Sequence, residues 1–113
     1  MILRILRIRQ FRELLSVIDH LVAYIEEQYG YKRGSSKRYE EEYVTIYLYK
    51  DLSTVTLRYF LKMRVLRISY FSYPSLFESF TSESIKVNPE KVDIEGLKKF
   101  VDGFMMKVFF KQL

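Results

Sequence analysis

The chain has 113 residues, 49% of them hydrophobic, and a formal net charge of +5. These values predict a single folded domain over residues 1–113 and exclude compositional disorder. The absence of cysteine excludes disulfides and thiolate metal sites, and no apolar run approaches the length of a membrane span.

Two further features of the composition concern the origin of the chain. It contains one Asn, three Gln and no Cys beside 29% charged residues, a trend reported for thermophiles. We therefore expect a thermophilic microbe, or a virus of one, as its source. The lack of cysteine also fits a reducing compartment, so a cytoplasmic location is expected.

The N-terminal segment MILRILRIR alternates irregularly between apolar residues and arginine. Its apolar residues do not form a narrow arc on a helical wheel, which argues against an amphipathic presequence. Two interpretations remain, an irregular strand at the edge of a sheet or an extension of the helix that follows. We favour the strand, because Leu3 and Ile5 would share a face.

Residues 11–29 have the period of an amphipathic helix, with apolar side chains on one arc and charged ones opposite. Gly30 is suited to end this helix in a left-handed conformation. The next residues, 30–41, are rich in Gly, Ser and charge and predict a mobile basic loop.

The middle of the chain is rich in β-branched and aromatic residues, which predicts three meandering strands at about 42–50, 54–61 and 65–73. Lys50–Ser53 is the expected first turn, and a second turn or a bulge is expected near Lys62–Arg64. A short edge strand over residues 84–87 is also compatible with the pattern.

Asp93 is a suitable N-cap for a last helix, in which Ile94, Leu97, Val101, Phe104 and Val108 form one stripe. The expected fold is therefore α+β, with a small antiparallel sheet of three to four strands between N-terminal and C-terminal amphipathic helices. The order is αβββα, preceded by a strand if residues 2–9 form one.

Residues suited to catalysis are scarce. His20 is the only histidine and falls on the polar side of the first helix, so neither a Cys/His nucleophile pair nor a His-rich zinc site is possible. The paired carboxylates, such as Glu26–Glu27, lack a recognisable acid/base or metal spacing. We expect a protein without enzymatic activity, cofactor or metal.

The predicted sheet has one face that combines cations with aromatic rings. If the alternate residues Leu57 and Tyr59 face the core, Arg58 and Phe60 face the other way. Such a face can stack bases and neutralise phosphates, which favours a module that binds nucleic acid, with single strands preferred. The candidate contacts in this face and in the preceding loop are Lys32, Arg33, Lys37, Arg38, Tyr47, Arg58, Phe60, Lys62 and Arg67.

The C-terminal helix supports an alternative, a subunit that forms a homodimer or docks on a protein partner. Met106 and Phe110 lie away from the apolar stripe and Phe109 lies at its edge, so these large side chains are candidates for an interface. The sequence MKVFF at 106–110 also resembles the end of a sliding-clamp-binding peptide, although Gly103 stands where that motif has glutamine. The cationic sheet face has a further interpretation, in which a helix covers it or it pairs with a second copy of the chain.

Overall fold

Over the described residues, one antiparallel sheet lies between a preceding helix and a following helix in the chain. The computed structural model describes the backbone of residues 2–39, 43–72 and 81–112, with the side chains of residues 12–34, 43–72 and 81–109. The elements are α1 (Ile2–Tyr29), β1 (Lys32–Tyr39), β2 (Tyr43–Lys50), β3 (Ser53–Phe60), β4 (Val65–Ser72), β5 (Thr81–Lys86) and α2 (Ile94–Gln112). The predicted α+β class is confirmed, but the sheet has five strands, in the spatial order β1-β2-β3-β4-β5.

The N-terminal segment is helical from Ile2 onward, so the edge-strand interpretation is wrong. A physical reason lies in helix cooperativity. Once residues 11–29 have formed a helix, each further residue adds a hydrogen bond without a new nucleation cost, and Leu and Arg are good helix formers.

The stretch expected to be a loop instead forms β1, which pairs with β2 over Lys32–Tyr39. Its sequence KRGSSKRY has no apolar alternation, and the register shifts between Arg33 and Lys37. The ladder of hydrogen bonds to β2 therefore accounts for this edge strand better than its own residue preferences do. At the opposite edge β5 is longer, and begins earlier, than the short strand expected at 84–87.

The ends of several elements follow the predicted local chemistry. Gly30 has a φ of 74° and its N–H donates to the Glu26 carbonyl over 3.1 Å, as expected of a left-handed helix cap. Asp93 caps α2 by accepting a hydrogen bond from the Gly96 N–H over 2.9 Å. The β2–β3 and β3–β4 turns contain Asp51 and Arg64, with φ values of 53° and 54°.

The core lies between the helices and one face of the sheet, which we call the covered face. This face comprises alternate strand residues that are almost completely buried: Val44, Ile46, Leu48, Val55, Leu57, Tyr59, Leu66, Ile68 and Tyr70. The helices contribute Leu21, Ile25, Val101 and Phe104, each of which is fully buried. Both helices pack on this side, so the other face of the strands is left without a helix over the described residues.

Polar side chains at the margin of the core are paired. The Asp102 carboxylate in α2 accepts hydrogen bonds from the hydroxyls of Tyr24, at 2.7 and 2.8 Å, and Tyr29, at 2.6 Å. Arg33 lies 3.0 Å from Asp19, and Lys107 lies 2.6 Å from Glu83. Each of these contacts joins two different elements, so they fix the helices relative to one another and to the sheet.

Candidate nucleic-acid interface

The face of the sheet that is turned away from the helices is the candidate site, and we call it the outward face. Antiparallel register places its residues in rows that cross the strands. The rows are Lys32, Tyr49, Thr54 and Phe71; Tyr47, Thr56, Ser69 and Ser82; Thr45, Arg58, Arg67 and Ser84; and Tyr43, Phe60, Val65 and Lys86. Successive rows are about 7 Å apart, because side chains two residues apart along a strand share a face.

Arg58 and Arg67 stand directly opposite each other on β3 and β4. Like charges in this position destabilise a sheet. Among the described residues neither guanidinium has a carboxylate partner. The pair is thus a local concentration of positive charge that the described part of the protein does not neutralise.

Neighbouring side chains hold both guanidinium groups in place. Nε of Arg58 donates to the Thr45 hydroxyl over 3.0 Å, and Nε of Arg67 donates to the Ser84 hydroxyl over 3.3 Å. Arg58 Cζ lies 4.7 Å from the centroid of the Tyr43 ring, and Arg67 Cζ lies 5.0 Å from that of Phe60. A cation–π contact and one hydrogen bond orient each group, while its terminal nitrogens remain able to donate to an anion.

Aromatic rings flank the arginine pair on both sides. On one side Tyr43 and Phe60 lie against each other, with centroids 5.8 Å apart. On the other side Tyr49 and Phe71 are 47% and 40% exposed, so their rings are available for stacking. Gly34 in β1 makes room for one of them, because a Cβ at this position would lie 2.6 Å from Cε2 of Tyr49.

The outward face is also free of acidic side chains across the described strand residues. Glu83, the acid of β5, pairs in register with buried Ile68 and contacts Lys107 of α2, so it belongs to the covered side. Asp51 lies in the β2–β3 turn. The described residues contain no group of three potential metal ligands of the His, Cys, Asp or Glu type, so the chemistry of the outward face is that of cations, rings and hydroxyls.

The structure brings together five of the nine residues predicted to contact nucleic acid. Lys32, Tyr47, Arg58, Phe60 and Arg67 share the outward face by their register. Lys62 is exposed in the β3–β4 turn, beyond the end of the strand.

The remaining three predicted contacts come from β1. Arg33 pairs in register with buried Leu48 and binds Asp19 of α1, which places it on the covered side. The backbones of Lys37 and Arg38 pair with Ile46 and Thr45, but their side chains lie outside the described residues. Of the three, Arg33 is therefore separated from the arginine pair by the sheet itself.

Two hydroxyl side chains position the arginines but are absent from the contacts predicted from the sequence. They belong to Thr45 and Ser84. The signal for Thr45 is the strand alternation that places it on the same face as Tyr47. Ser84 had no such signal, because its position opposite Arg67 depends on the register of β5 across the intervening segment 73–80.

The residues proposed for protein contact lie at the end of α2. Met106 is 56% exposed and Phe109 is 39% exposed, and the Phe109 ring lies 6.0 Å from that of Tyr29. The side chain of Phe110 lies outside the described residues. A depression of about 370 Å³ beside Phe109 includes Tyr31, Lys50 and Leu52 in its lining, so this end of the molecule combines apolar and polar surface.

Comparison of the chain with protein-family models, with curated proteins and with solved structures gives no match. Neither helix, over the described residues, is long and apolar enough to cross a membrane.

Proposed function

We propose that the protein is a non-enzymatic module that binds single-stranded nucleic acid through the outward face. The observation that carries this proposal is the cross-strand pair of Arg58 and Arg67, which lacks a carboxylate partner among the described residues. A phosphate group would relieve the repulsion between the two guanidinium groups, and arginine is well suited to bind it in a bidentate manner.

The aromatic rings give the face a second means of binding. Tyr49 and Phe71 each expose part of a ring, and base stacking on such rings is tolerant of sequence. A single strand offers unstacked bases and phosphates together, whereas the bases of a duplex are stacked on one another. The combination therefore favours single strands over duplexes.

The proposal is tested with a triple variant, Arg58→Ala, Phe60→Ala and Arg67→Ala, titrated with a fluorescent single-stranded oligonucleotide. We expect the native protein to bind in a salt-dependent manner and the variant to lose binding. Affinity should fall with salt, since each phosphate contact contributes about −0.7 to the slope of log affinity against log salt for a single strand.

The matched control is Arg33→Ala, which removes one arginine from the covered side of the same sheet and should leave binding intact. Circular dichroism of both variants separates loss of binding from loss of folding. Native affinity in a folded triple variant, or no binding by the native protein, would contradict the proposal.

A second candidate function is docking on a protein or on a second copy of the chain through α2. It is favoured by the exposure of Met106 next to that of Phe109, and by Gly103, where an added Cβ would meet no atom within 4 Å. Replacement of Met106 by Ser would then lower the mass measured by light scattering, or the affinity for a partner, without affecting nucleic-acid binding. Deleting residues 106–113 is a less clean test, because Val108 is buried in the core.

A further inference from the structure

The Thr and Ser side chains of the outward face include two pairs that differ in their contacts. Thr45 and Ser84 accept hydrogen bonds from the arginine pair. In the adjacent row, Thr56 and Ser69 stand opposite each other, and neither hydroxyl has a hydrogen-bond partner among the described residues. No side-chain oxygen that is buried in the described part of the chain lacks a partner. It follows that neither oxygen is completely shielded from solvent. Thr56 is half-buried, and Ser69 is 8% exposed, so a ligand would reach the Ser69 hydroxyl between its larger neighbours.

The side chains that β4 contributes to the outward face differ in chemical type from one position to the next, in a definite order. Phe71, Ser69 and Arg67 occupy successive positions on the outward face, and the middle row continues to Thr56 on β3. An aromatic ring, a hydroxyl and a guanidinium therefore follow one another at intervals of about 7 Å. A nucleotide has the same order of groups, because its sugar connects the base to the phosphate.

We infer that the outward face selects RNA over DNA by contacts between the ribose 2′-hydroxyl and the Thr56 and Ser69 hydroxyls. The inference rests on the proposed function and specifies its ligand. The RNA strand crosses the β-strands, with its phosphates along the Arg58–Arg67 row and its bases towards Phe71 and Tyr49. The sugars then lie over the free hydroxyls, which can both donate and accept hydrogen bonds, as the 2′-hydroxyl does.

The test compares fluorescent oligouridylate with oligodeoxyuridylate of the same length, which differ only at the 2′ position. We expect the native protein to bind the RNA roughly fivefold more tightly or better, the effect of about one net hydrogen bond. In the double variant Thr56→Val and Ser69→Ala, affinity for RNA should fall to that for DNA, while affinity for DNA stays unchanged.

The control double variant is Thr81→Val and Ser72→Ala, which makes the same two changes at positions that pair with Tyr70 of the covered face and with Ser53 next to a turn. It should keep the native preference for RNA. Equal binding of RNA and DNA by the native protein, or equal weakening of both in the Thr56/Ser69 variant, would overturn the inference and leave the proposed function standing. Failure to bind either oligonucleotide would instead contradict the proposed function itself.

Discussion

The two faces of the sheet are formed by the same strands but differ in whether their cations have carboxylate partners. On the covered side, Arg33 has Asp19 as its partner and Lys107 has Glu83. On the outward face, Arg58 and Arg67 face each other, and aromatic rings and hydroxyls take the place of carboxylates. Rings and hydroxyls orient a guanidinium group without neutralising it.

The difference shows how a stable sheet can carry arginines that no carboxylate of the described residues neutralises. A carboxylate would compete with any anionic ligand for the arginines, whereas a cation–π contact with an aromatic ring does not neutralise the charge of the group. The covered face supplies the free energy of folding through burial of apolar side chains. The outward face can therefore tolerate a pair of like charges whose mutual repulsion lowers stability.

The largest expected effect comes from replacing phenylalanine by alanine on each side of the sheet. Phe104 is 0% exposed and Phe71 is 40% exposed. Phe104→Ala should lower the free energy of unfolding by about 3–5 kcal/mol, and Phe71→Ala by about 1 kcal/mol or less. Urea denaturation measures both. Similar losses for the two variants would contradict the distinction between a face that stabilises the fold and a face proposed to bind a ligand.

A smaller effect is expected at the helix contact that involves Tyr29. Burial and the hydrogen bond to Asp102 raise the pKa of Tyr29 above its ordinary value of 10.0. The folded state therefore holds this proton more tightly than the unfolded state does. The corresponding stability is present below pH 10 and is lost as the pH rises above that value.

In Tyr29→Phe the decline in stability above pH 10 should be shallower than in the native protein. The loss of the hydrogen bond should cost about 1 kcal/mol near neutral pH. Thermal unfolding at a series of pH values measures both, and comparison with the native protein cancels the titration of the lysines. If stability declined equally with pH in both proteins, the hydrogen bond between Tyr29 and Asp102 would not be a contact that stabilises the covered side.

The smallest effect is expected for Arg33→Ala. The side chains of Arg33 and Asp19 are 30% and 45% exposed, and partly solvated ion pairs contribute about 1 kcal/mol or less. Chemical denaturation should show a shift of that size at low salt and less at high salt. A loss of several kcal/mol would mean that the ion pair of the covered side is a principal support of the fold.

The sequence predicts the centre of the sheet well, for reasons that are local. β2, β3 and β4 begin and end within one residue of their expected bounds, because alternation between apolar and polar residues defines a half-buried strand. β1 could not be predicted in this way. Its residues show no alternation, and the strand depends on pairing with β2, which is a tertiary interaction.

The site could be predicted only in part. Alternation correctly assigned Arg58, Phe60 and Arg67 to one face, since this needs only the period of a strand. That Arg58 stands opposite Arg67 depends on register, which the turn with its left-handed Arg64 sets. The charge of Arg33 is evident from the sequence, but its side of the sheet is determined by the pairing of β1 with β2 and is not.

The sequential order of the five strands has a consequence for the rate of folding. Each strand pairs with its neighbour in the chain, so the whole ladder forms by closing short loops, which costs little entropy and is fast. The contact between Tyr24 and Asp102 instead joins residues 78 positions apart. We therefore expect the hairpins to form early and the docking of α2 onto α1 to limit the rate.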